Sequence, residues 1–172
     1  MTTPPSPAHQ SPRLDPVAGV LALLLPGLGH FYQGHRLRAA YVALGVLGLF
    51  FGGILIGGID SVDSREDRIW FLGQALVGPI AFGADHLHQT RFKVLDQITN
   101  QPRSADPGEA RDPRTARPYA DPTGNGPPNI KSLAKVNELG TLFSTIAGML
   151  NLIVIIDAGL TTRPRPARGA PA

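Results

Sequence analysis

The sequence predicts an all-α integral membrane protein with three to four hydrophobic helices, the first short and either kinked or re-entrant. Three observations predict it. Charged residues are absent from Ala39 to Ile59, from Ile69 to Ala84 and from Leu139 to Ile156. Asp, Glu, Lys and Arg make up only 17% of the chain, against roughly 25% in an ordinary soluble domain. A chain of 172 residues has room for one modest domain, and so few charges cannot cover three nearly continuous apolar segments from water. The mean hydropathy of +0.01 is therefore an average of unlike parts.

Residues 1–15, with "TTPPSPAHQSPRLD", are rich in Pro and Ser without apolar periodicity, and are expected to be disordered. They make a poor signal peptide: Arg13 is the only positive side chain before the apolar run, and no small-x-small cleavage site follows Leu25. The next unit, 16–100, carries the first hydrophobic elements and a surface amphipathic segment. Its opening run, Val17 to Leu28, is twelve residues and rises about 18 Å, short of a hydrocarbon core of about 30 Å. Two arrangements satisfy it. Either the helix continues through Gly29, His30, Phe31 and Tyr32, kinked at Pro26 with its aromatics at headgroup depth, or it is re-entrant or interfacial.

Ala39 to Ile59 is the clearest span, with 21 residues rising about 32 Å. Its glycines allow close backbone approach in lipid, and Gly48 with Gly52 and Gly53 with Gly57 form two GxxxG pairs. A polar connector, Asp60 to Arg68, leads to Ile69–Ala84, which reaches spanning length if extended through Leu87. That extension sets Asp85, His86 and His88 at the lipid–water boundary. Phe92, Leu95 and Ile98 then recur every three residues, the mark of an amphipathic surface segment over 89–100. Residues 101–130 contain seven prolines between Gln101 and Asn129 and almost no large apolar residue, and read as a flexible linker. The last membrane unit is 131–162, with Leu139–Leu160 as its span and Gly140, Ser144 and Gly148 as a small-residue face. A basic tail, 163–172, is expected to be disordered. With all four hydrophobic elements taken as crossings, Lys and Arg divide six against six, so the positive-inside bias assigns no orientation.

Several chemistries are excluded by what is missing. With no Cys there is no disulfide, thiolate nucleophile or thiolate metal site. The net charge of +3 is scattered, without the basic helix or aromatic interleaving of a nucleic-acid binder. "PGLGHFYQG" lacks the lysine and hydroxyl of a phosphate loop, and Gly27, Gly29 and Gly34 lack dinucleotide-loop spacing. It reads instead as a rigid turn with interfacial aromatics. Asp85 and His88 share a helical face, and His30 or His35 would have to supply a third metal ligand from another segment. Headgroup contact is the simpler reading. Gln74, Asn151 and Asp157 are the polar residues within apolar stretches. Asn151 lies mid-span and needs a hydrogen-bond partner on another helix, for which Gln74 is the candidate. Asp157 lies near enough to the helix end to reach interfacial water. No catalytic residue and no cofactor are expected.

"LLLPGLGHFYQGHRLRAAYV", Leu23 to Val42, resembles the opening of small bacterial membrane proteins related to the two-transmembrane domain family. "ELGTLFSTIAGMLNLIVIIDA", Glu138 to Ala158, looks like the C-terminal helix of an uncharacterised bacterial family with the same opening. The resemblance marks Pro26, Gly27, Gly29, His30, Phe31, Tyr32 and Gly34 as the signature turn. It also marks Gly140, Gly148, Asn151 and Asp157 as shared helix features. It implies a multi-pass protein of a bacterial membrane, the inner one, and no activity. The expected function is structural or scaffolding, with lipids and a protein partner or second copy as contacts. A small transporter or ion-binding protein is the alternative, a membrane enzyme the third reading.

Overall fold

The computed structural model describes residues 13–106, 108–123 and 134–161. They are mostly helical, and two helices are long and apolar enough to cross a membrane: α3, Arg36–Gly57, and α6, Ala134–Gly159. These two run antiparallel in close contact. Asn137 near the start of α6 reaches Asp60 just beyond α3, and Asp157 near its end reaches Arg38 at the start of α3.

Glycine makes that contact close. A Cβ at Gly140 would lie 2.5 Å from the Gly57 Cα, and one at Gly53 would lie 2.7 Å from the Gly140 carbonyl oxygen. The backbones touch where side chains would hold them apart. Gly48 and Gly52 are different: no heavy atom among the described residues lies within 4 Å of where a Cβ would sit. Among the described residues, that GxxxG pair meets no neighbouring helix of this chain.

The two remaining hydrophobic segments fold as helical hairpins. In the first, α1 (Pro16–Leu24) starts at the Asp15 cap, whose carboxylate accepts from the Ala18 N–H at 3.3 Å. It lays Ala18 and Ala22 against Ala158 and runs down beside α6 as far as Asn151. Pro26 cannot continue the helix. Gly27, at φ +88°, takes the left-handed conformation that starts α2, Leu28–Tyr32, at little steric cost to glycine. The chain then returns to the end it came from, so that Gly29 lies against the Ala18 carbonyl and His30 beside Asp157. The continuous kinked helix open to 17–32 is not formed: the segment doubles back as a hairpin.

The second hairpin enters from the opposite end. Its descending limb is α4, Arg68–Gln74, extended by a 3-10 turn at Ala75–Val77. Gly78, at φ +103°, breaks the helix and Pro79 opens the returning limb α5, Pro79–Leu87. This corrects the expectation of a span over 69–87. Each hairpin is followed by a long helix, so the chain lays down the same pair of elements twice in opposite directions. Val46, Phe50, Val62, Val77, Ala81 and Ala147 form the larger apolar core between them.

Three two-stranded antiparallel ladders complete the chain. Strand β1, Arg13–Leu14, pairs with β6, Leu160–Thr161, so the two ends of the described chain meet. Residues 13–15 are thus ordered, while 1–12 lie outside the described residues. Strand β2 (Val94–Leu95) pairs with β3 (Pro102–Arg103), and β4 (Glu109–Arg111) with β5 (Pro118–Ala120). The structureless linker expected over 101–130 does not hold for 101–106 and 108–123. Asp112 closes the β4–β5 turn by accepting from the Arg114 N–H at 2.8 Å, and Arg103 reaches Glu109 at 2.8 Å. The amphipathic segment expected over 89–100 does not run as one element: a π-turn at His88–Phe92 gives way to β2. Residues 107, 124–133 and 162–172, including the basic tail, lie outside the described residues.

Candidate functional site

Polar side chains inside this apolar bundle gather at three levels. Where the hairpin tips meet, Asn151 is fully buried, and its amide nitrogen donates to the Ala22 carbonyl at 3.2 Å and the Leu76 carbonyl at 2.8 Å. These carbonyls belong to the last turns of the two descending limbs, which have no next turn to supply their donors. Gly78 seats against the Leu23 and Leu24 carbonyls and brings the tips together. Two turns away along α6, the Gln74 amide donates to the Ser61 carbonyl at 2.8 Å and to Ser144 Oγ at 2.9 Å. Gln74 is therefore not the partner of Asn151. Both amides tie side chain to backbone across segments.

At the end where the chain termini meet, buried His30 places Nε2 3.2 Å from Asp157 Oδ2, and Arg38 reaches the same oxygen at 2.6 Å. Gln33 donates to the Ala158 carbonyl at 2.7 Å. Asp157 is thus ion-paired while its side chain stays 43% exposed, and Phe31 and Tyr32 stand exposed beside this cluster. It clamps the first hairpin to the end of α6.

The densest polar cluster lies at the opposite end. Val62 is fully buried in the core, which pulls the connector "DSVDSREDR" inward and carries the flanking Asp60 and Asp63 with it. Asp63 Oδ1 accepts from the N–H groups of Arg65 (2.8 Å) and Glu66 (3.2 Å) and from the Gln89 amide (2.8 Å). Lys93, only 2% exposed, comes within 2.5 Å of Asp63 Oδ2 and 2.9 Å of Glu66 Oε1. Burial by itself raises the Asp63 pKa, but the hydrogen bond and charge of Lys93, with the two backbone N–H groups, hold its carboxyl below the usual range. The π-turn at His88–Phe92 sends both His88 and Lys93 inward. His88 Nδ1 faces the Val62 carbonyl at 3.3 Å and Nε2 faces Asp60 Oδ1 at 3.4 Å. Asp60, Asp63 and His88 each bring one metal-ligating atom within 4.8 Å of the others.

The model of the family of unknown function DUF6677 matches residues 17–168. The chain belongs to that family. No curated protein and no solved structure matches it. The DUF6677 match takes in both hairpins, both long helices and all three polar levels.

The candidates drawn from sequence separate in space. Pro26, Gly27 and Gly29 form the bend and close approach of the first hairpin, and Gly34 follows α2. Gly148 packs on the Gly73 carbonyl, and buried Ser144 donates to the Gly140 carbonyl. His30 and His35 lie at the far end of α3 from His88 and cannot join it. Asp85 is taken up by Ser64, which donates to it from N–H (2.8 Å) and Oγ (2.7 Å), and His86 is exposed. Of the sequence-derived candidates only His88 joins this cluster, beside Asp60 and Asp63. A usable sign lay in the connector: two Asp three residues apart around an apolar Val62.

Proposed function

We propose that this is a multi-pass integral membrane protein of a bacterial inner membrane, acting as a structural or scaffolding component of a membrane complex. The observation that carries the reading is the contrast between inside and outside. The interior is closed by backbone contact at Gly29, Gly53, Gly57, Gly78, Gly140 and Gly148. Outward-facing Leu44, Leu55, Ile69 and Leu72 are more than 70% exposed. In water such a belt is unfavourable by about 25 cal/mol per Å² of apolar surface, whereas lipid accommodates it. The opening resembling two-transmembrane proteins supports the same setting. A rigid, backbone-packed bundle suits holding a partner or a second copy in place.

Transport is the second reading, favoured by one observation: oppositely directed broken helices meet at the level of Asn151, an arrangement by which transporters present helix ends to a substrate. Purification from native membranes in mild detergent, followed by mass spectrometry of the intact complex, tests the first reading. A stoichiometric partner or a defined homo-oligomer is expected. A lone monomer that carries ion flux in proteoliposomes would replace scaffolding with transport.

A further inference from the structure

We propose that Asp60, Asp63 and His88 form a binding site for a divalent first-row transition metal ion such as Zn2+, which displaces the Lys93 ammonium from Asp63. Two carboxylates and one imidazole are a donor set that such ions accept. The arrangement of the outer atoms carries the proposal. Each ligand has its second polar atom held by a separate group. Asp60 Oδ2 accepts from the Asn137 amide at 3.2 Å, Asp63 Oδ1 takes three N–H donors, and His88 Nδ1 faces the Val62 carbonyl. This leaves Asp60 Oδ1 and His88 Nε2 facing one another, with the ligand atoms of all three residues within 4.8 Å. Metal-ligating histidines are commonly oriented in this way, by donating the other ring nitrogen to a carbonyl or carboxylate.

The spacing adds a second argument. His88 Nε2 lies 3.4 Å from Asp60 Oδ1. Ligand atoms around a tetrahedral Zn2+ with bonds of about 2.1 Å are about 3.4 Å apart, so this edge needs no rearrangement. The third ligand atom lies within 4.8 Å of both and closes in by side-chain rotation. Lys93 now neutralises Asp63 and has Glu66 Oε1 at 2.9 Å as a second partner. It can therefore yield Asp63 without losing all compensation for its own charge. Asp85, saturated by Ser64 and Gln89, stays outside the set.

The test uses the full chain in detergent with any affinity tag removed. Zn2+ affinity is measured by competition with a chromogenic chelator, and retained metal by elemental analysis. About one Zn2+ per chain is expected. Asp60→Asn and His88→Gln should each weaken binding by about tenfold or more, and Asp85→Asn should leave it unchanged. Lys93→Met should tighten binding, because the competing cation is gone. Size-exclusion and circular dichroism of the metal-free variants establish that they fold. Zn2+ retention that ignores Asp60→Asn and His88→Gln, or no stoichiometric retention, overturns the site. Should those variants not fold, Lys93→Met decides: tighter binding supports the site, and equal or weaker binding overturns it.

Discussion

Asn151 donates to the Leu76 carbonyl at 2.8 Å, from a helix 75 residues further along the chain. The same amide nitrogen also donates to the Ala22 carbonyl, so one side chain ties the tips of both hairpins. Asn151→Ala leaves two helix-end carbonyls without that donor in an apolar interior, where each lost hydrogen bond costs about 1–3 kcal/mol. The variant should integrate and fold but melt at a lower temperature in detergent, read by loss of helical circular dichroism. A melting temperature equal to wild type would remove Asn151 from the tip junction.

Glycines on α3 and α6 should divide sharply. A Cβ at Gly140 would collide with Gly57 and Gly53, whereas one at Gly48 meets open space. Gly140→Ala should reduce the monodisperse yield on size-exclusion chromatography and lower thermal stability. Gly48→Ala should be neutral or raise stability by up to about 1 kcal/mol, the helix preference of Ala over Gly. A destabilising Gly48→Ala would mean that another chain packs there.

The signature turn gives a second contrast. Gly29 sits against the Ala18 carbonyl with no room for a side chain, so Gly29→Leu should sharply reduce folded protein. His30→Gln removes the ring facing Asp157 but leaves the Arg38–Asp157 pair at 2.6 Å. Its thermal stability should fall by much less than that of Gly29→Leu. If Gly29→Leu were harmless, the close approach between the limbs of the first hairpin would be wrong.

Acid should loosen the region of the small ladders. Glu109 is held below the usual carboxylate range chiefly by its hydrogen bond from Arg103, Asp96 by the Thr99 N–H and Asp112 by the Arg114 N–H. All three shifts are downward on folding, so the stabilisation is present above the unfolded pKa values of about 4. It is lost as pH falls through the lower folded values. Hydrogen exchange of residues 94–121 should therefore lose protection on acidification from pH 6 to pH 3. Protection that rises over that interval would contradict these pairings.

The long helices were legible because outward-facing and core positions are both apolar, so stretches such as Ala39–Ile59 carry no charge. The same uniformity hid the second hairpin. Composition over 69–87 records an apolar environment but not the direction of the chain, and only Pro79 and the adjacent Gly78 marked the reversal. The ladders between 94 and 120 were hidden for another reason. Their strands are two or three residues long and held by turn carboxylates and Arg103, in a stretch whose prolines match a linker. At the acidic cluster, "DSVDSREDR" looks solvated until Val62 is seen to be buried. Lys93 lay beyond reach, since nothing local marks a lysine as the neutraliser of an aspartate thirty residues earlier.

On the proposed reading, two antiparallel helices cross the membrane while two hairpins enter from opposite faces and return, and sidedness tests it most directly. The chain has no Cys, so single cysteines report without background. Cysteines placed at exposed Leu14, Leu37, Arg65 and Ile98 are labelled with a membrane-impermeant maleimide in sealed vesicles, then after permeabilisation. Leu14→Cys and Leu37→Cys should react from one side, and Arg65→Cys and Ile98→Cys from the other. Labelling of positions 14 and 37 from opposite sides, or of all four from the same side, would contradict the account.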